Sequence, residues 1–257
     1  MKTTLLLAGL ALAVTAHAAD APDDGGPAVV PYRPSVSTPA QLSAPGYLEL
    51  EAGGLRTTGP GAHTSRATLP YTLKLAFTPD WGLRIGGDAW VRQAEPGASQ
   101  TSVGDTAIVL KRRFAVSDAN AWGLELGETF PTAKSTVGIG HASTTVNGIF
   151  SSDFAPAWHT DINLNETHLG GSGQPSAWQL GWAASVSRNL TDTWGAVAEL
   201  SGTHQTGAAN TGQVLVAASW NASPAAVFDF GIAHGFNDVT PHFQVFAGVT
   251  VRLAKLF

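Results

Sequence analysis

A chain of 257 residues with no cysteine and a formal net charge of −5 can form no disulfide or thiolate metal site, and it offers no basic field to a nucleic acid. Charged residues make up only 13 % of it, against about 25 % in soluble domains, while glycine reaches 29 residues and tryptophan 8. Part of this surface is therefore expected to face something other than water.

In chain order, Lys2 precedes the apolar run from Leu5 to Val14, and Ala16-His17-Ala18 sets small residues two apart before Ala19 and Asp20. That succession reads as a secretory signal, too short to span a membrane after export. Residues 1–18 are the expected signal peptide, with cleavage after Ala19 as the alternative. Residues 19–45 are rich in Pro, Ala, Gly and Ser without a period, and are expected to form a periplasmic tail or a lumen plug rather than a domain.

From Gly46 to the end alternation dominates. Twelve segments carry it: 47–56, 67–77, 82–93, 104–114, 120–130, 144–154, 157–166, 176–187, 193–203, 213–221, 227–236 and 242–255. Their length suits tilted transmembrane strands of about 9–11 residues, and no apolar run after the signal approaches the roughly 20 residues of a membrane helix. The connections at 78–81, 115–119, 155–156, 188–192 and 222–226 are short, whereas those at 57–66, 94–103, 131–143, 167–175, 204–212 and 237–241 are mostly longer and rich in Gly, Ser and Thr. Short turns on one rim and long loops on the other predict an all-β, transmembrane antiparallel β-barrel of about 12 strands with up-and-down topology, occupying residues 46–257 with both termini on the short-turn, periplasmic side. Pro70, inside the second segment, predicts a bulge or register shift there.

Sorted by parity, one face collects Leu69, Tyr71, Leu73 and Leu75, then Trp81, Leu83, Ile85, Ala89 and Val91, and later Trp178, Leu180, Trp182, Phe228, Phe230 and Ile232. All tryptophans but Trp90 fall on this face. Trp81, Trp122, Trp158, Trp194 and Trp220 also lie near short turns, which predicts an interfacial aromatic girdle. Charges on the same face, Arg56, Arg112, Glu128, Glu166 and Arg188, keep to strand ends, where lipid tolerates them. A soluble sandwich shares the alternation but explains neither the girdle nor the loop asymmetry.

The opposite face carries Glu49, Glu51, Lys74, Arg84, Asp88, Asp105, Lys111, Glu125, Asp161, Glu199, Asp229 and Arg252, expected as lumen charges. Most concentrate toward the periplasmic end, where they read either as a charged constriction that selects solutes or anchors the N-terminal plug, through Arg33, or as paired ions filling a narrow lumen. Eight of the twelve are acidic and four basic, so weak cation preference is expected of any conduction. The last strand must pair with the first to leave no edge. The terminal aromatic Phe257, after alternating apolar residues, is expected to serve as the signal read by the barrel assembly machinery.

The stretches "RPSVSTPAQLSAPGYLELEAG" (33–53), "TLPYTLKLAFTPDWGLRIG" (68–86), "VGDTAIVLKRRF" (103–114), "LELGETFPTA" (124–133) and "GFNDVTPHFQVFAGVTVRL" (235–253), in this order, resemble the outer-membrane transporter-like family named for the meta-pathway of phenol degradation. The resemblance implies a small outer-membrane barrel of Gram-negative bacteria that passes small, hydrophobic or aromatic molecules, and it supplies no catalytic residues. Trp90, Arg92 and the basic run at 111–113 depart from the family pattern.

His63, His141, His168 and His204 map to the long-loop rim without metal-ligand spacing, so no metal or cofactor is expected. His141 and Ser143 provide residue types found in barrel lipases, but neighbouring loop residues point apart and no orienting carboxylate is evident, so no enzyme is expected. The resulting reading is a passive channel or transporter whose partners are outer-membrane lipid and a small-molecule solute. The alternative is a structural or surface-interaction barrel with a closed lumen.

Overall fold

The computed structural model describes residues 25–59, 64–173 and 175–257. The expected signal peptide, residues 19–24 and His63 lie outside them. The described residues form thirteen strands: β1 (Tyr47–Thr58), β2 (Ser65–Ala76), β3 (Trp81–Glu95), β4 (Ala98–Ser102), β5 (Thr106–Ala115), β6 (Asn120–Phe130), β7 (Ser143–Ala155), β8 (Trp158–Leu169), β9 (Trp178–Asn189), β10 (Trp194–Gln205), β11 (Thr211–Ser223), β12 (Ala226–Gly235) and β13 (Phe243–Lys255). Twelve of them pair antiparallel around a closed barrel, with β3 against both β2 and β5 and with β1 against β13. Closure removes the strand edge that lipid would leave unsatisfied.

The alternation in each strand explains the closure. In β6 the exposed residues include Trp122, Leu124 and Leu126, while Ala121, Gly123 and Glu125 turn inward; Leu126 is 53 % exposed and Glu125 only 4 %. Packing two sheets face to face would bury the leucines and wet the glutamate. The barrel does the reverse, so hydrocarbon is the solvent its outer face fits. Replacing Leu126, near mid-strand, with Arg is expected to destabilise the vesicle-reconstituted barrel by about 2–4 kcal/mol. The same change at Phe130, the last residue of β6, should cost no more than about 1 kcal/mol, as read from denaturant unfolding.

The tryptophans near the short turns sit in this outer layer. Trp194 stacks on Trp220 across the β10–β11 pair at 6.3 Å, and Trp122 lies 4.9 Å from Phe150. The cross-strand guanidinium of Arg112 lies 5.1 Å from the Trp81 ring, and that of Arg188 lies 5.0 Å from the Trp158 ring.

Two expectations are corrected. The connection read as a long loop at 94–103 is a hairpin: β3 runs on to Glu95, and β4 returns along it after a turn in which Gly97 has φ +80°. β4 is wholly polar apart from Ala98, so it lacks the apolar alternation of a lipid-facing strand. Second, the faces expected for Val91 and Trp90 are exchanged, because of the register slip expected at Pro70: Thr68 faces Val91 and Pro70 faces Asp88. The extra residue belongs to β3 and reverses its parity. Val91, expected on the lipid face, is fully buried, and Trp90 joins the exposed residues.

One side of the interior is packed solid. Leu215, Ala233 and Phe246 turn inward from β11, β12 and β13 and pack against Leu55 of β1. Free space is left toward β5–β11.

Candidate functional site

Residues 25–45 contain no regular strand and follow a path fixed by inward side chains. The segment meets the barrel at the short-turn rim, where Val29 N donates to Pro224 O at 2.8 Å. Val30 N and Tyr32 N donate to the carboxylates of Glu49 and Glu51 at 3.3 and 2.6 Å. Both carboxylates are held by Lys74, whose Nζ lies 3.0 Å from Glu49 and 2.7 Å from Glu51 and also donates to Val30 O.

Arg33 forms a two-pronged ion pair with Asp229, each contact 3.0 Å. Two glycines make room for it. A Cβ at Gly248 would come within 2.5 Å of Arg33 Nε, and one at Gly53 within 2.9 Å of Nη2.

At mid-barrel the chain crosses the interior. Glu199, near the middle of β10, accepts from Val36 N at 3.0 Å, Ser37 N at 2.8 Å and Ser37 Oγ at 2.7 Å. Asn163 closes a reciprocal pair with the Thr38 backbone, both bonds 2.9 Å. Ala40 N donates to Ser151 Oγ at 2.7 Å, and Lys111 Nζ donates to Pro39 O. Ala40 rests on Gly123, where a Cβ would lie 3.3 Å from its Cα, and beside Ile149. The segment then returns to the same rim, where Gly46 N donates to Ala76 O at 2.9 Å.

Tyr32 is the centre of the charge cluster, and the sequence reading did not single it out. Its ring has the Lys111 and Lys74 ammonium groups at 4.1 and 4.3 Å and the Arg84 guanidinium at 5.2 Å, an arrangement favoured by the ring's negative face. Its hydroxyl donates to Gln41 O at 2.8 Å, and burial pushes the phenol well above its ordinary pKa. The available signal was a lone aromatic between prolines in an otherwise small-residue stretch.

The remaining lumen charges divide into pairs. Glu125 takes Arg84 at 2.9 Å and Lys111 at 3.4 Å, and accepts from Asn147 Nδ2 at 3.0 Å. Asp88 meets Arg66 at 3.6 Å, and Asp161 meets His159 at 3.0 Å. Arg252 donates to Pro27 O and lies 5.7 Å from the Tyr47 ring. Asp105 stands apart from the cluster: its carboxylate accepts from Ala133 N at 3.0 Å and Ile139 N at 2.8 Å, fastening the 131–143 connection. His168 packs edge-on to Trp178 at 4.8 Å and His204 meets Asn210 at 2.7 Å.

The crossing divides the free interior in two. An outer cavity of about 590 Å³ is floored by Val36 and Thr38, and an inner one of about 340 Å³ is lined by Ser35, Ser37 and Pro39 on the other side of the same strip of chain.

Among solved structures, an outer-membrane channel from Pseudomonas putida F1 superposes with a TM-score of 0.67 over 83 % of this chain and 98 % of its own, at 11 % identity. The protein has an outer-membrane channel fold. The NanC porin matches with a TM-score of 0.60 over 80 % of this chain and 100 % of its own, at 9 % identity. The KdgM porin, solved with disordered oligogalacturonate, matches at 0.58 over 80 % and 99 %, at 7 % identity. At such identities the likeness extends to the fold alone. No family model matches the sequence, and no curated protein does.

Proposed function

We propose that this protein is a passive channel for small solutes in the bacterial outer membrane. The observation that carries the reading is a lipid-facing barrel whose polar interior holds two cavities on either side of residues 35–39, a strip outside the strand ladder. Solute would pass when that strip shifts, with lumen groups replacing hydration water and no energy source in the chain. The fold likeness to channels and porins supports the reading; the resemblance to the phenol meta-pathway family points to hydrophobic or aromatic compounds, whereas the wall chemistry of the outer cavity favours neutral polar ones. Residues 1–18 act as the export leader in this account. Phe257, 64 % exposed just beyond β13, is offered to the assembly machinery, and the lipid-facing girdle fixes depth.

Planar-bilayer recording tests the proposal. Discrete conductance steps with reversal potentials favouring cations are expected, because the acidic lumen residues outnumber the basic ones. A barrel that inserts, shown by heat-modifiable gel mobility, yet gives no steps and no liposome swelling would favour the closed structural barrel instead.

A further inference from the structure

The outer cavity has a chemistry of its own. Its wall carries Thr129, Thr145, Thr167, Thr203 and Thr211 from β6, β7, β8, β10 and β11, joined by amides such as Gln213. Thr145 and Thr167 share a hydrogen bond of 2.8 Å between their hydroxyls, and Thr203 and Thr211 share one of 2.7 Å. Two hydroxyls that share one hydrogen keep the second hydrogen and spare lone pairs for another partner. Each pair therefore both donates and accepts toward the cavity, and threonine methyls fill the space between.

Among the described residues, this wall offers no unpaired charge and no inward aromatic ring. The charged residues lining the cavity are Arg84 and Glu125, which pair with each other at 2.9 Å, while Glu125 also holds the buried Lys111 at 3.4 Å. A charged solute would lose water without gaining a counter-ion, which is costly in a confined site. The aromatic residue along the wall, Trp182, is 41 % exposed, and its ring lies outside, 3.2 Å from where a Cβ at Gly202 would stand. A flat hydrophobic ring thus finds no stacking surface within. The volume falls in the range of about 300–1,000 Å³ usual for small-molecule sites.

We infer that the outer cavity is a binding site for an uncharged, polyhydroxylated solute such as a neutral sugar or polyol. Groups that donate and accept at once match a wall that does the same. The inference deepens the channel reading and rests on it for biological meaning, but the binding event stands without conduction.

The test uses the full barrel in detergent and three sugars with one ring: glucose, glucuronate and glucosamine, neutral, anionic and cationic, with phenol as a fourth ligand. Saturation-transfer NMR titrations should show glucose binding saturably, with both charged sugars weaker by at least about tenfold. Thr145→Val together with Thr203→Val keeps shape and β-branching but removes one hydroxyl from each pair, and should weaken glucose roughly tenfold. Thr144→Val, on the lipid side of β7, should leave binding unchanged. Equal or tighter binding of a charged sugar, preferential binding of phenol, or glucose affinity untouched by the double substitution would each overturn the inference. If the double variant does not fold, the ligand series on the unaltered barrel decides alone. Absence of glucose binding beside normal conductance refutes the sugar site and leaves the channel. Glucose binding without conductance does the opposite.

Discussion

Deleting residues 19–45 should raise the conductance of the barrel severalfold and move its reversal potential further toward cation selectivity. The first effect follows from geometry, since the only described segment crossing between the two cavities is removed. The second follows from charge. Arg33 leaves with the segment, so Asp229 loses its partner, and Glu199 loses all three donors from Val36 and Ser37. Carboxylates freed into a water-filled lumen add negative field along the path. Conductance and selectivity left at their original values would mean that solutes do not use this route.

A narrower change isolates the clamp. Glu199→Ala keeps the segment but removes the acceptor of three bonds, each to an ionised group and worth about 1.5–3 kcal/mol. Its conductance should fluctuate between a low and a high level, reporting a strip that detaches and returns. Glu199→Gln, with one acceptor oxygen left, should spend less time in the high level.

The outer half of this architecture was legible because lipid on one side and lumen on the other impose a period of two on every strand. The ends of β6 coincide with the expected 120–130, and Pro70 correctly marked a slip. The slip was legible only in part, because the inserted residue sits on β3 and nothing local to Ala89 or Trp90 announces it. β4 escaped for a different reason: Ala98, Ser99, Gln100, Thr101 and Ser102 carry no alternation, and their only cue is the Pro96-Gly97 turn. The path of residues 25–45 has no period at all. It is set by partners on other strands, from Glu49 and Glu51, 19 residues from their donors, to Glu199 and Asp229, more than 100 residues away. The sequence does hold its imprint, but as absences: at Gly53, Gly82 and Gly248 a side chain would collide with the segment, and at Gly123 it would crowd it.

Lys74→Met is the substitution expected to destabilise the barrel most. Lys74 is 2 % exposed and serves Glu49, Glu51 and Val30 O together. Ion pairs taken out of water return little net stability, but removing one partner strands the others. Here two carboxylates, 1 and 4 % exposed, would face each other without a cation, at a cost of about 3–5 kcal/mol. Their backbone donors, Val30 N and Tyr32 N, cannot neutralise two charges. Adding Glu49→Gln and Glu51→Gln to Lys74→Met should restore most of the lost stability in vesicle unfolding, because the neutral amides still accept from Val30 N and Tyr32 N. A triple variant no more stable than Lys74→Met would show that the lysine acts through its packing on Tyr32, 4.3 Å from the ring centre, and not through its charge.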